Sequence, residues 1–100
     1  MKIGIIGAGA WGTALAITAH RAKHDITLWS FDGKYTQWAG VDMPTSIRIT
    51  TDITDMRDMD AWLVATPAAH FRETILRAAK SYNCQPIIIC SRYAKTSAMS

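Results

Sequence analysis

Gly7-Ala8-Gly9-Ala10-Trp11-Gly12 is the stretch whose reading decides the fold. Behind it lies Lys2-Ile3-Gly4-Ile5-Ile6, a short β-branched apolar run that reads as a buried strand. Ahead of it the apolar spacing becomes helical. Trp11, Leu15 and Thr18 recur at three- to four-residue intervals, as do Ala14, Ile17 and Arg21, to about Ala22. A Gly-x-Gly-x-x-Gly spacing is weak evidence alone, but it gains meaning when it directly follows a strand and opens a helix. Gly7 permits the tight turn out of the strand. Gly9 leaves room for a pyrophosphate against the backbone, and Gly12 lets the helix lie close to the sheet. The helix start then offers free N–H groups and a partial positive charge to phosphates. The stretch therefore predicts a cradle for a dinucleotide, NAD or NADP. The usual companion is an acidic residue about twenty positions on. Trp29, at the end of the next strand, is not acidic. Asp32 lies three residues later and reads equally as a ribose ligand or as a solvated turn residue before Gly33.

The rest of the chain continues the alternation. Ile26–Trp29 is a second strand. Ser30–Thr45, with Gly33, Gly40 and Pro44, is irregular and predicts a short helix or turns. Ile47–Thr50 reads as a third, edge strand, and Asp52–Met59 as a short helix or turn. Ala61–Ala65 is a buried strand. Thr66 then reads as an N-cap and Pro67 as the first residue of a helix reaching about Tyr82, with Phe71, Ile75, Leu76 and Ala79 facing inward. Ile87–Cys90 is a fifth buried strand. Strands alternating with helices imply right-handed crossovers. The predicted fold is α/β, a Rossmann-like doubly wound parallel sheet of about five strands in the order 3-2-1-4-5. Residues 1–94 form the domain and 95–100 a polar tail expected to fray. Ligands in such sheets bind where the strand order reverses, here between strands 1 and 4.

Bulk properties exclude several classes. One hundred residues at 49% apolar and 19% charged suit a single soluble domain. The net charge of +3 is spread over scattered Arg and Lys, with no basic run interleaved with stacking aromatics. No nucleic-acid role is expected. Cys84 and Cys90 match no metal or redox spacing, so no metal site is predicted and a reducing, cytoplasmic setting fits. The apolar start is interrupted by three glycines, which argues against a signal peptide or a membrane span.

Residues 1–16, Met1-Lys2-Ile3-Gly4-Ile5-Ile6-Gly7-Ala8-Gly9-Ala10-Trp11-Gly12-Thr13-Ala14-Leu15-Ala16, resemble the opening of NAD(P)-dependent glycerol-3-phosphate dehydrogenases. Trp11 inside the loop, followed by Gly-Thr-Ala-Leu-Ala, is the particular feature. Asp25-Ile26-Thr27-Leu28-Trp29, Gly40-Val41-Asp42-Met43-Pro44, Thr51-Asp52, Val64-Ala65-Thr66-Pro67 and Phe71-Arg72-Glu73 continue the resemblance in order. It implies that Ala10 and Trp11 lie along the pyrophosphate, that Phe31 packs near the adenosine, and that Pro67 and His70 border the cofactor crevice. It also implies that Arg92 stands at the family's Ser-Lys-Gly lysine, which touches substrate and nicotinamide.

Two departures qualify this. Ser91-Arg92-Tyr93 replaces Ser/Thr-Lys-Gly, and Arg is no equivalent of Lys at a tight site. The segment between strands 2 and 3 is short for the family. In the family a separate helical domain supplies the lysine base and most of the site for glycerol phosphate or dihydroxyacetone phosphate. These hundred residues hold no such substrate domain, so no catalytic residue is assigned within them beyond Arg92. One expectation is therefore the cofactor-binding domain of such a dehydrogenase, catalytically incomplete as this chain. The alternative is a stand-alone nucleotide-binding or interaction module derived from the family. A different reductase of the same superfamily is disfavoured by Trp11 and Thr13–Ala16. Phe31, where many bacterial members of the family carry an Arg and others a Phe, predicts a mild preference for NAD over NADP. The apolar strand-5 edge predicts self-association.

Overall fold

A computed structural model of the chain describes residues 1–90. Its first strand, β1 (Lys2–Ile6), shows the period of two that a sheet imposes. Ile3 and Ile5 point into one apolar cluster, while Ile6 points into another on the opposite face. The first cluster lies under α1 (Ala10–Arg21), which contributes Ala16 and Ile17. The second takes Trp29, Met56, Trp62, Val64 and Ala78. The sheet is thus buried on both faces around β1, as the near-continuous apolar runs of a parallel sheet require.

The remaining strands are β2 (Asp25–Trp29), β3 (Arg48–Thr50), β4 (Ala61–Val64) and β5 (Ile87–Ile89). All pairings are parallel and the order is β3-β2-β1-β4-β5. In register, Ile5 of β1 sits between Leu28 of β2 and Leu63 of β4. The reversal of strand order falls between β1 and β4, as predicted. Their carboxyl ends, near Gly7 and Ala65, open the same crevice.

Helix α1 stops at Arg21 because the next residues form a Schellman turn. The Lys23 amide donates to the His20 carbonyl at 3.0 Å and the His24 amide to the Ala19 carbonyl at 3.3 Å. Lys23 occupies the left-handed position, φ 73°, where glycine is the usual residue. Between β3 and β4 a 3-10 turn spans Ile53–Met56, in the expected stretch. Asp52 caps it: its carboxylate accepts from the Thr54 amide at 3.0 Å. The buried Trp62 indole N–H donates to the Met56 carbonyl at 2.7 Å, tying the turn to β4.

The structure departs from the sequence reading in three places. The second helix, α2, runs Ala68–Ala79. Thr66 is not its cap: its buried hydroxyl donates back to the Ile6 carbonyl at 3.3 Å. Pro67, with ψ 148°, takes the capping position instead. Second, α2 buries Thr74 and Ala78 and half-buries Phe71 and Ile75, whereas Leu76 and Ala79 are exposed. The inward stripe is therefore rotated from the predicted one. Residues 31–47 form turns and one isolated Trp38–Val41 bridge, which is the turn alternative of the two expected there. Third, β5 is not buried: Ile87, Ile88 and Ile89 are 41%, 54% and 55% exposed. It is an edge strand, and Cys90 beyond it is half-buried rather than core. The polar tail and Ser91-Arg92-Tyr93 lie outside the described residues.

Candidate functional site

The glycine loop fits the role its spacing suggests, and a Cβ added at each position shows why. At Gly12 the new atom would lie 1.8 Å from the Gly7 carbonyl oxygen, so only hydrogen allows α1 to start this close to β1. At Gly7 it would lie 2.9 Å from the Ala65 backbone, and φ is +116°, which side chains resist. At Gly9 nothing comes within 4 Å. The loop is therefore closed against the protein at two glycines and open to a ligand at the third. Gly9 caps α1 without any side-chain bond, and its carbonyl accepts from the Thr13 amide at 2.9 Å. The amides of residues 10–12 precede that first helical bond and face outward from the helix start. No acidic side chain occupies the first turn. A pyrophosphate against Gly9 would meet backbone donors and a helix dipole with no competing carboxylate.

Beside the loop runs a cleft of about 320 Å³. Its floor is Gly7, Ala8 and Trp29; one wall is Phe31 and the other is Thr66, Pro67 and the α2 side chains His70, Glu73, Thr74 and Arg77. Four of the predicted site residues thus meet in one cleft: Gly7, Phe31, Pro67 and His70. His70 follows Pro67 by one turn, its amide donating to the Pro67 carbonyl at 2.9 Å. Phe31 is 70% exposed, and the Arg77 guanidinium lies over its ring at 5.2 Å from the centroid.

The other predicted residues lie to either side. Gly9 and Asp32 share an adjoining hollow with Lys34 and Tyr35. Asp32 is committed to its own turn, accepting from the Lys34 amide at 3.0 Å and the Ser30 hydroxyl at 3.2 Å. The Lys34 amide, above all, holds its carboxyl below the usual carboxylate value. Ala10 and Trp11 line a third hollow on the far side of α1, with Leu15 and Trp38. The Trp11 side chain turns toward β5, where its indole N–H donates to the Cys90 carbonyl. Its ring thus braces the helix start against the neighbouring strand and lies outside the lining of the cleft.

Glu73, Thr74 and Arg77 were missed as lining residues. Their signal was present: from His70 they fall at i+3, i+4 and i+7, the same face of one helix. Among the described residues no three His, Cys, Asp or Glu side chains gather as metal ligands. No helix among them is long and apolar enough to cross a membrane.

A parallel 3-2-1-4-5 sheet, with a glycine loop and a cleft at its switch point, defines a Rossmann-type dinucleotide-binding domain. Comparison with known proteins makes this specific. The family model described as "NAD-dependent glycerol-3-phosphate dehydrogenase N-terminus" matches residues 2–95, and the chain belongs to that family as its N-terminal, NAD-binding part. Curated relatives include a glycerol-3-phosphate dehydrogenase [NAD(P)+] from Paramagnetospirillum magneticum, 37% identical over 103 residues, covering 91% of this chain and 38% of the relative. Another, from Maricaulis maris, is 39% identical over 112 residues and covers 99% of this chain and 33% of its own length. The chain thus spans about a third of the length of the curated relatives it matches. Among solved structures, the glycerol-3-phosphate dehydrogenase of Coxiella burnetii superposes with a TM-score of 0.79 at 24% identity, over 91% of this chain and 32% of that one. A PanE/ApbA family ketopantoate reductase from Ralstonia eutropha superposes at 0.76 with 17% identity, over 95% of this chain and 35% of its own. These two likenesses concern the fold.

Proposed function

We propose that the crevice between the glycine loop and α2 binds NAD or NADP. We further propose that, within a complete dehydrogenase, it presents the nicotinamide for hydride exchange between glycerol 3-phosphate and dihydroxyacetone phosphate. The observation that carries the binding claim is the contrast at the loop: Gly7 and Gly12 are filled against backbone, Gly9 is open. When bound, the nicotinamide ring supplies or accepts the hydride.

The described residues contribute orientation. The amides after Gly9 take the pyrophosphate, while Phe31 offers a flat apolar face to the adenosine end. Pro67 and His70 border the crevice at the end of β4. Hydride transfer needs both reactants at near-attack geometry. The glycine loop and cleft suit one of them, so substrate contacts are assigned to the remaining length that the relatives possess. A cytoplasmic setting accords with the two free thiols, Cys84 and Cys90. Among the described residues β5 is the outer strand and carries three exposed isoleucines, which favours self-association; light scattering would register it as a mass above the monomer.

The test is titration calorimetry of the protein with NADH and NADPH. Saturable binding of either is expected. No heat at millimolar cofactor would remove the cradle from this chain.

A further inference from the structure

We propose that Arg77 sets the cofactor preference of this site by recognising the 2′-phosphate of NADP. This rests on the reading of the crevice as the dinucleotide site and goes beyond it. In doubly wound sheets the discriminating residues stand at the end of the second strand: an acid that bonds the ribose hydroxyls selects NAD, and a nearby arginine accommodates the phosphate of NADP. In this chain Phe31, two residues past the end of β2, carries no charge, and the local sequence therefore favours NAD. The fold changes the balance twice.

First, the acid is engaged elsewhere. Asp32 accepts from the Lys34 amide and the Ser30 hydroxyl and lines the adjoining hollow rather than the cleft. Second, an arginine reaches the same place from another element. Arg77 lies in the last turn of α2, more than forty residues on in the sequence, and its guanidinium sits 5.2 Å from the centroid of the Phe31 ring. Phe31 is an exposed platform, and the guanidinium over it keeps its N–H fork available at the edges. A guanidinium stacked on a ring beside an adenosine pocket suits a phosphate monoester, which it can bind with two parallel charge-assisted hydrogen bonds. Lys34 lines the adjoining hollow with Asp32, so Arg77 is the cation within the cleft itself. Glu73, one helical turn before Arg77 and in the same cleft, is the opposing charge.

The experiment compares wild type with Arg77→Met and Arg77→Lys by calorimetry with NADPH, NADH, 2′,5′-ADP and 5′-ADP. Far-ultraviolet circular dichroism serves as the check on folding. Arg77→Met is expected to weaken NADPH and 2′,5′-ADP by about tenfold or more, while NADH and 5′-ADP change by less than about twofold. Arg77→Lys should restore part of the loss, since it keeps the charge without the fork. The wild-type preference for NADPH should shrink as salt rises. An unchanged NADPH-to-NADH ratio in Arg77→Met overturns the proposal. Equal weakening of both cofactors also overturns it and makes Arg77 a stacking clamp or a helix-end charge. If the wild type binds none of the four ligands, the crevice reading itself fails, which the wild-type titration alone reveals.

Discussion

The two helices that flank the crevice have the same length and opposite jobs. Each has twelve residues and follows a strand that ends at the switch point. Helix α1 buries Gly12, Thr13, Ala14, Ala16 and Ile17, and its start is set against β1 by a glycine with no space for a methyl. What it offers a ligand is backbone: amide hydrogens and a dipole. Helix α2 fully buries only Thr74 and Ala78 and turns His70, Glu73 and Arg77 toward the cleft. What it offers is side chains. Backbone donors suit the group every dinucleotide shares, and side chains suit the parts by which dinucleotides differ. The tightly packed helix can therefore serve the whole family of ligands, while the loosely packed one is free to choose among them.

That comparison can be broken most forcefully at Gly12. A single methyl, Gly12→Ala, would press against the Gly7 carbonyl, so a loss of about 3 kcal/mol or more is expected in urea unfolding. A change under about 1 kcal/mol would mean that the helix start is not locked against β1. Gly9→Val separates binding from folding. The side chain enters open space, so stability should fall by no more than about 1 kcal/mol. Dinucleotide affinity should drop at least about tenfold. Unchanged affinity would contradict the role of the loop.

A smaller, opposite effect is expected at the far end of α1. Lys23→Gly relieves a left-handed backbone and should raise stability by about 1 kcal/mol, read as a higher thermal midpoint.

The smallest effect concerns Asp52. Its carboxyl is held below the usual value of 3.8, first by the Thr54 hydroxyl and then by the Thr54 amide. A depressed value in the folded state means a contribution that is present above pH 3.8 and fades as pH falls through the folded value. The thermal midpoints of wild type and Asp52→Asn should therefore converge as the pH drops below that range. A gap that persists at low pH would show that the cap acts without its charge.

Much of the architecture was legible because it rests on local patterns. The strand–loop–helix of residues 2–21 and the order of the sheet follow from apolar periodicity and glycine spacing. The predicted burial of β5 failed for a physical reason: Ile87-Ile88-Ile89 is as apolar as any interior strand. Its exposure depends on what stands beyond it in the sheet, which no local pattern encodes. The inward face of α2 was misjudged similarly. Leu76 looked like core, but Thr74 and Ala78 are the residues small enough to approach the sheet side closely. Of the residues that line the cleft, Gly7, Phe31, Pro67 and His70 were legible in the chain, whereas Arg77 was not. Its importance arises from its contact with Phe31, a pairing across two crossovers that only the fold brings about.

The division of labour between the helices is tested most directly by an amide-resolved NMR titration of the protein with NADH. Binding in the crevice predicts that the largest shifts fall on the amides of residues 7–12, with a second group around Phe31 and from Thr66 to Arg77, and little change along β5. Saturable shifts that spare the glycine loop, or that centre on the hollow between Trp11 and Trp38, would contradict the account.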